Sequence, residues 1–282
     1  MDVIHSGPPR WPLRGLNDEE HPMSTVIYEV RNHIAYITLN RPEALNALNH
    51  ELSAALEETW YSYDADPEAW VAILTANGRA FCSGADLRQR NAEISGPSSS
   101  RPTHSLGHGV DIYKPIIVGV HGYCLAAGID LVLPCDIRVA GESAQFGMTM
   151  TRVGVMASTG ASQLPRSIHW SHAMEMLLTG ERVNAQEAYR IGLVNKVVPD
   201  ADILATCEEY AAKIMRNSPT AVRLTKEAAI RGRDASTMAE SLKIGFGIQR
   251  VMRATPDAKE GPRAFVEKRD PQWQPADVGG VH

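Results

Sequence analysis

Apolar and polar residues follow two different periods along this chain. Over residues 25–31, and again over 33–39, they alternate with period two, the pattern of half-buried strands, with Asn32 at the turn between them. Asn40-Arg41-Pro42 ends the second strand. Leu45, Leu48, Leu52, Leu56 and Trp60 then recur at helical spacing, which predicts an amphipathic helix running to Tyr63. Residues 71–75 read as a buried strand, Asn77-Gly78 as a turn, and 116–120, with no polar side chain at all, as a second buried strand. Residues 137–140 give another strand. A glycine-punctuated loop (Gly141, Gly147, Gly154) leads from it to a helix start at Ser158-Thr159-Gly160.

Residues 174–178 are helical, and Asn184 with Glu187 has capping-box spacing before a helix that ends near Gly192. From Asp200 the strand signals stop. Ile203, Leu204, Cys207, Tyr210, Ile214 and Met215 mark one helix, Pro219 opens another, and Met238, Leu242 and Phe246 mark a third. A last helix, opened by Thr255-Pro256, carries Phe265 to Arg269. The pattern predicts an irregular arm at 1–22, an α/β core at 23–199 and a helical region at 200–282, with no internal repeat.

The stretch 116–136, IIVGVHGYCLAAGIDLVLPCD, organises the rest. A buried strand turns through Gly122 and then through Ala126-Ala127-Gly128 into a short apolar helix that Pro134 stops. Small residues let backbone approach closely at such a turn. The free N–H groups at the helix start carry partial positive charge and suit a negative oxygen. Asp130 sits in the first helical turn beside them. Two readings stand at this point: an active-site floor, or a tight turn whose aspartate interacts with the helix dipole.

Composition removes several classes. The 282 residues are 44% hydrophobic and 22% charged, a globular mixture. A formal charge of −5 without a dense Lys/Arg block offers no nucleic-acid face, and no apolar run reaches membrane-spanning length. Cys82, Cys124, Cys135 and Cys207 form no CxxC pair, and no histidine cluster has metal spacing, so no metal site is expected. Apolar neighbours point to buried free thiols in a reducing compartment, and the first residues resemble neither a signal nor a transit peptide, so a cytoplasmic location is expected. Residues 95–109 are rich in Ser, Pro and Gly and read as a loop near the site; His104 and His108 in it read as solvated.

Five stretches in order carry a resemblance. They are ITLNRPEALNAL at 37–48, GRAFCSGADL at 78–87, VHGYCLAAGIDLVLPCDIRVA at 120–140, LTGERVNAQEAYRIGLVNKVVP at 178–199 and AFVEKR at 264–269. Together they resemble the crotonase superfamily, the enoyl-CoA hydratase/isomerase group, over residues 24–269. The resemblance implies an α/β crotonase-like (ClpP/crotonase) fold of repeated ββα units with a C-terminal helical trimerisation region, assembled as a trimer or a dimer of trimers. It implies an acyl-CoA thioester as ligand, with no cofactor beyond the coenzyme A moiety of the substrate. Matched motif to motif, the two N–H groups that hold the thioester oxygen fall on Ala85 and Ala127. Ala85-Asp86-Leu87-Arg88 resembles the wall along the adenine and pantetheine, with Ala44 on the opposite wall. Phe265 and Lys268 resemble a pair that reaches the nucleotide end from a neighbouring subunit.

The chain departs from the family at the acid/base positions. True hydratases of the family use two glutamates; Asp130 stands at the first position and Met150 at the second. Aspartate is one methylene shorter, and methionine exchanges no protons. Met150 is expected to line an apolar acyl pocket with Met148 and Val153. Ser158, Thr159, His104 and His108 are the nearby candidates for a second polar group. The function implied is acyl-CoA chemistry through a thioester enolate, as an enoyl-CoA hydratase/isomerase family member. Alternatives are a CoA-thioester hydrolase or lyase of the same fold, an acyl-CoA-binding protein with lost or altered catalysis, and a structural oligomer with a vestigial pocket.

Overall fold

The computed structural model describes residues 24–94 and 105–274. The described chain enters through an antiparallel hairpin, β1 (Val26–Arg31) and β2 (Ile34–Leu39), turned by Asn32 and His33 at φ of 51° and 64°. The helix expected from Leu45 starts later. Residues 42–44 form a 3-10 turn, Leu45 and Asn46 both take positive φ, and α1 (His50–Ala65) begins where the Asn49 side chain accepts the Leu52 N–H. The cause is Asn46, which is wholly buried. Its Oδ1 accepts the Arg41 N–H and its Nδ2 donates to the carbonyls of Asn77 and Ala80, which holds the loop open. An amide with every partner inside the protein outweighs the helical spacing of two leucines.

After α1 come β3 (Val71–Ala76), α2 (Leu87–Ile94), two short strands β4 (Ser105–Leu106) and β5 (Gly109–Val110), and β6 (Ile116–Val120). A further strand, β7 (Tyr123–Leu125), interrupts the turn expected between Gly122 and the short helix α3 (Ala127–Val132). Beyond β8 (Ile137–Gly141), the expected loop carries β9 (Gln145–Gly147) and a 3-10 turn at Thr149–Val153. Next come α4 (Ser158–Ser167), α5 (Trp170–Thr179), β10 (Arg182–Asn184), α6 (Ala185–Arg190) and β11 (Lys196–Val198). The capping residue expected at the start of α6 is present: Asn184 Oδ1 accepts the Glu187 N–H at 2.9 Å.

The main sheet has six strands in the order β1-β2-β3-β6-β8-β11, parallel except for the first hairpin. A second sheet, β10-β9-β7, packs β7 parallel and β10 antiparallel to β9. Alternation along the central strands assigns their two faces. Val71, Ile73, Ile117 and Val139 meet α7 (Ile203–Met215) through Ile203, Cys207 and Ala211. Ala72, Leu74, Ile116 and Val118 point the other way, into the larger core with α1 and α3.

The last third is helical, as expected, with α8 (Pro219–Arg233), α9 (Met238–Arg253) and α10 (Asp257–Glu267) following α7. Lys226 of α8 ties this region to the sheet: its Nζ donates to Asp136 Oδ2, which also accepts the Ile116 N–H at the start of β6. The last helix is shorter than expected. Lys268 closes α10 in the left-handed conformation (φ 54°), so Lys268 and Arg269 lie past its end.

Candidate active site

The site is assembled on residues 82–86, a strip bonded along both edges. On one edge Cys82 N donates to Tyr123 O and Leu125 N to Cys82 O, each at 2.9 Å. On the other, Ser83 N donates to Leu45 O, Leu48 N to Gly84 O and Asp86 N to Leu48 O. Leu48 therefore uses the carbonyl before Ala85 and the N–H after it. In such a parallel bridge Ala85's own N–H faces the opposite edge, where α3 begins.

Gly84 brings the two turns together. It takes φ of +104°, and a Cβ there would lie 2.9 Å from Ala126 Cβ and 3.5 Å from Ala127 N. Gly128 seats the helix start on the same strip, since a Cβ at that position would lie 2.6 Å from Cys82 O. Between them Ala126 holds φ 51° and ψ −122°, an unfavourable conformation for alanine, fixed by its N–H to Gly147 O at 2.8 Å. Ala127 is the first residue of α3, where a backbone N–H has no acceptor within the helix. Among the described residues, neither the Ala85 nor the Ala127 N–H donates to a backbone acceptor. Two preorganised donors thus stand side by side at a helix start.

Asp130 lies one turn into α3. Its Oδ1 is buried and has no hydrogen-bond partner among the described residues. Burial pushes the carboxyl up to about 6 from its ordinary 3.8, because the charged form loses water without gaining a donor. Opposite stands α4, where a Cβ on Gly160 would lie 3.4 Å from Asp130 Oδ1 and would collide with Met148 Cε. A carboxyl of this kind can take a proton near neutral pH and return it.

The expected coenzyme walls are tied to each other. Ala44 lies in the 3-10 turn whose following residues bond the 82–86 strip. Leu87 and Arg88 are exposed at the start of α2. Asp86, expected to face the coenzyme, turns inward. Its carboxylate accepts Arg41 Nη1 at 2.8 Å and caps α2 through the Arg88 N–H at 3.1 Å. The same Arg41 nitrogen donates to Ala47 O at 2.9 Å. The Arg41 guanidinium holds the Asp86 carboxyl below the usual carboxylate range. Arg41 and Asn46, which fix this wall, were not singled out by sequence reasoning. Both lie in the 37–48 motif, which is the one signal that could have marked them.

The other expected site residues differ in burial and position. Met148, Met150 and Val153 do not form one apolar wall. Met148 has no exposed surface, Met150 is half-buried against the core, and Val153 is 58% exposed, because the 3-10 turn carries it outward before Gly154 reverses the chain. Phe265, 86% exposed, and Lys268 sit at the exposed end of α10, and no described contact links them to Ala85 or Asp130. His108 and Ser158 are exposed and Thr159 is half-buried; His104 lies outside the described residues. All four cysteines are buried, and burial pushes the thiols of Cys82, Cys135 and Cys207 up to about 12, so none supplies a thiolate. No group of metal-ligating side chains occurs among the described residues, and no described helix is long and apolar enough to cross a membrane.

A family model described as enoyl-CoA hydratase/isomerase matches residues 29–276. An (E)-benzylidenesuccinyl-CoA hydratase of Thauera aromatica is 39% identical over 89% of this chain and 99% of its own length. A mevalonyl-coenzyme A hydratase of Aspergillus fumigatus is 37% identical over 93% of this chain and 99% of its own. Among solved structures, an enoyl-CoA hydratase of Mycobacterium tuberculosis superposes with a TM-score of 0.82 at 35% identity, covering 89% of this chain and 99% of that one. A probable enoyl-CoA hydratase/isomerase of Mycobacterium abscessus gives 0.80 at 39% identity, covering 89% and 98%.

Proposed function

The chain belongs to the enoyl-CoA hydratase/isomerase family and has its crotonase-type fold, and from that premise we propose that it transforms a conjugated acyl-CoA thioester through an enolate held at Ala85 and Ala127. The observation that carries this reading is a pair of backbone N–H groups with no backbone acceptor among the described residues, beside a carboxyl whose buried Oδ1 has no described partner. Addition of a nucleophile to the β-carbon, or loss of an α-proton, moves charge onto the thioester oxygen. Donors already aimed at that oxygen stabilise the charge more than the neutral carbonyl, by ~3–4 kcal/mol per donor as judged from donor deletions.

In this reading Asp130 is the acid/base and Met150 exchanges no proton, so the reaction runs with one carboxyl in place of the pair the resemblance implies. Ala44, Ala85, Leu87 and Arg88 line the coenzyme path, with Asp86 and Arg41 fixing its shape. Phe265 and Lys268 meet the nucleotide end of a neighbouring copy's ligand in a trimer or a pair of trimers. The test is a panel of unsaturated and saturated CoA thioesters with mass detection of products. We expect turnover of a conjugated thioester by the wild type. We expect Asp130→Asn to remove at least about 100-fold of kcat while thioester affinity changes little, because the backbone donors remain. Binding without turnover of any thioester would instead identify an acyl-CoA-binding protein.

A further inference from the structure

Asp130 Oδ1 is not the only buried side-chain oxygen without a hydrogen-bond partner among the described residues. Gln163 lies three residues beyond Gly160, on the same face of α4. Its Nε2 donates to Gly107 O at 3.4 Å, and a Cβ on Gly107 would lie 3.0 Å from that nitrogen and 3.5 Å from Pro134 Cβ. A carbonyl can only accept, so this contact assigns the nitrogen end of the amide and leaves Oε1 as the other end. Oε1 is buried and accepts no hydrogen bond among the described residues, as is true of Asp130 Oδ1. Pro134 follows Asp130 by four residues, as Gln163 follows Gly160 by three. Gly160 thus stands against Asp130, and Gly107 stands against both Gln163 and Pro134, which puts Gln163 towards the Pro134 end of the same stretch.

Two buried acceptors without donors call for a ligand that brings two protons. Water does so, and the oxygens that accept both of its hydrogens at ordinary bond lengths stand roughly 4.5 Å apart, the rise of three residues along a helix. We propose that Gln163 holds the attacking water: its Oε1 and Asp130 Oδ1 accept the two hydrogens of one molecule, which leaves a lone pair for the β-carbon of the bound thioester. This rests on the reading of the site given above.

The step balances without another reactant. The water oxygen bonds to the β-carbon, the π pair of the α,β double bond shifts to join the α-carbon to the carbonyl carbon, and the carbonyl π pair moves onto the thioester oxygen at Ala85 and Ala127. The proton released by the water goes to the Asp130 carboxylate. Collapse of the enolate restores the carbonyl as the α-carbon takes that proton back from Asp130. Gln163 exchanges no proton; it orients the nucleophile.

The experiment compares hydration of crotonyl-CoA, or of the conjugated thioester best turned over in the panel, with exchange of the α-protons of butyryl-CoA into D2O. Exchange needs Asp130 and the two backbone donors but no attacking water. Gln163→Met keeps side-chain length and removes both the acceptor and the donor to Gly107; Gln163→Glu keeps an acceptor and loses only the donor, so comparing the two separates holding water from anchoring the loop. For Gln163→Met we expect kcat for hydration to fall about 10- to 100-fold, with KM and α-proton exchange within about twofold of wild type. For Gln163→Glu we expect hydration within about fivefold of wild type. Equal losses of hydration and exchange in Gln163→Met, or hydration unchanged in it, would overturn the assignment of Gln163. If Gln163→Met does not fold, Gln163→Glu decides: loss of hydration and exchange together overturns the assignment. A wild type that neither hydrates nor exchanges would overturn the reading of the whole site, and this assignment with it.

Discussion

Burial of the Asp130 carboxyl works against the fold at neutral pH. The carboxyl sits at about 6 in the folded chain against an ordinary 3.8, so between those values the folded state binds the extra proton. Its contribution to stability therefore falls as pH rises from 3.8 to about 6, and above that the fold carries the full penalty of a buried charge. Asp130→Asn is neutral at every pH. The variant should be more stable than wild type by about 1–3 kcal/mol near pH 8, with the gap closing below the ordinary carboxylate range, as read from urea unfolding at each pH. A variant less stable than wild type at pH 8 would mean that the carboxylate has a donor after all. The base role proposed for Asp130 needs the ionised form, so wild-type turnover should fall as pH drops through about 6. The placement of Asp130 in the first turn of a short helix opened by small residues was legible in the sequence, because small residues, a helix start and an acid in its first turn are all local features. That Asp130 Oδ1 has no partner among the described residues was not legible, since it depends on what α4 brings against it.

The elements show where a one-dimensional pattern reaches its limit. The central strands of the main sheet and most helices follow from period and caps, because each is long enough to repeat its pattern. Strands β7, β9 and β10 have three residues each and cannot show a period; pairing with one another and with residue 82 makes them. The 40–48 segment misleads in the opposite sense: its leucines keep helical spacing while Asn46 and Arg41 hold it as a loop against residues 82–86. Arg41 and Asp86 are 45 residues apart, and neither announces the other. Their side chains are only 21% and 14% exposed, so loss of the arginine leaves a poorly hydrated carboxylate and an unbonded Ala47 carbonyl. Arg41→Met should cost about 2–3 kcal/mol in urea unfolding at neutral pH. Because the pair holds the Asp86 carboxyl below its usual range, its contribution exists above that range and is lost as pH falls, so wild type and variant should converge in acid. At the site KM for the CoA thioester should rise more than kcat falls, since the tie shapes the wall and leaves Asp130 in place. A kcat loss with unchanged KM would place Arg41 in the chemistry instead.

At the scale of the whole molecule, the C-terminal helices are poorly covered within one chain. Of the 16 residues of α9, Ile248 alone is buried, while Met238, Leu242 and Phe246, one above another at four-residue spacing, are 75%, 52% and 59% exposed. Phe265 and Val266 add 86% and 80% exposure at the end of α10. A contiguous apolar stripe of this kind is a surface awaiting burial. The trimer proposed here supplies a second copy to cover it and brings Phe265 and Lys268 to a neighbour's ligand. The wild type should therefore scatter light as a trimer or a multiple of one. Leu242→Glu combined with Phe246→Glu puts charges on the stripe without touching the core, so the chain should keep its circular dichroism and scatter as a monomer. If the neighbour completes the coenzyme site, thioester affinity in that monomer should fall by at least about tenfold, equivalent to 1.4 kcal/mol. Lys268→Ala in the intact assembly should reproduce part of that loss without changing the scattering mass. A folded monomeric variant that binds the thioester as tightly as wild type would show that each chain builds its site alone, and would leave the α10 residues no part in holding the coenzyme.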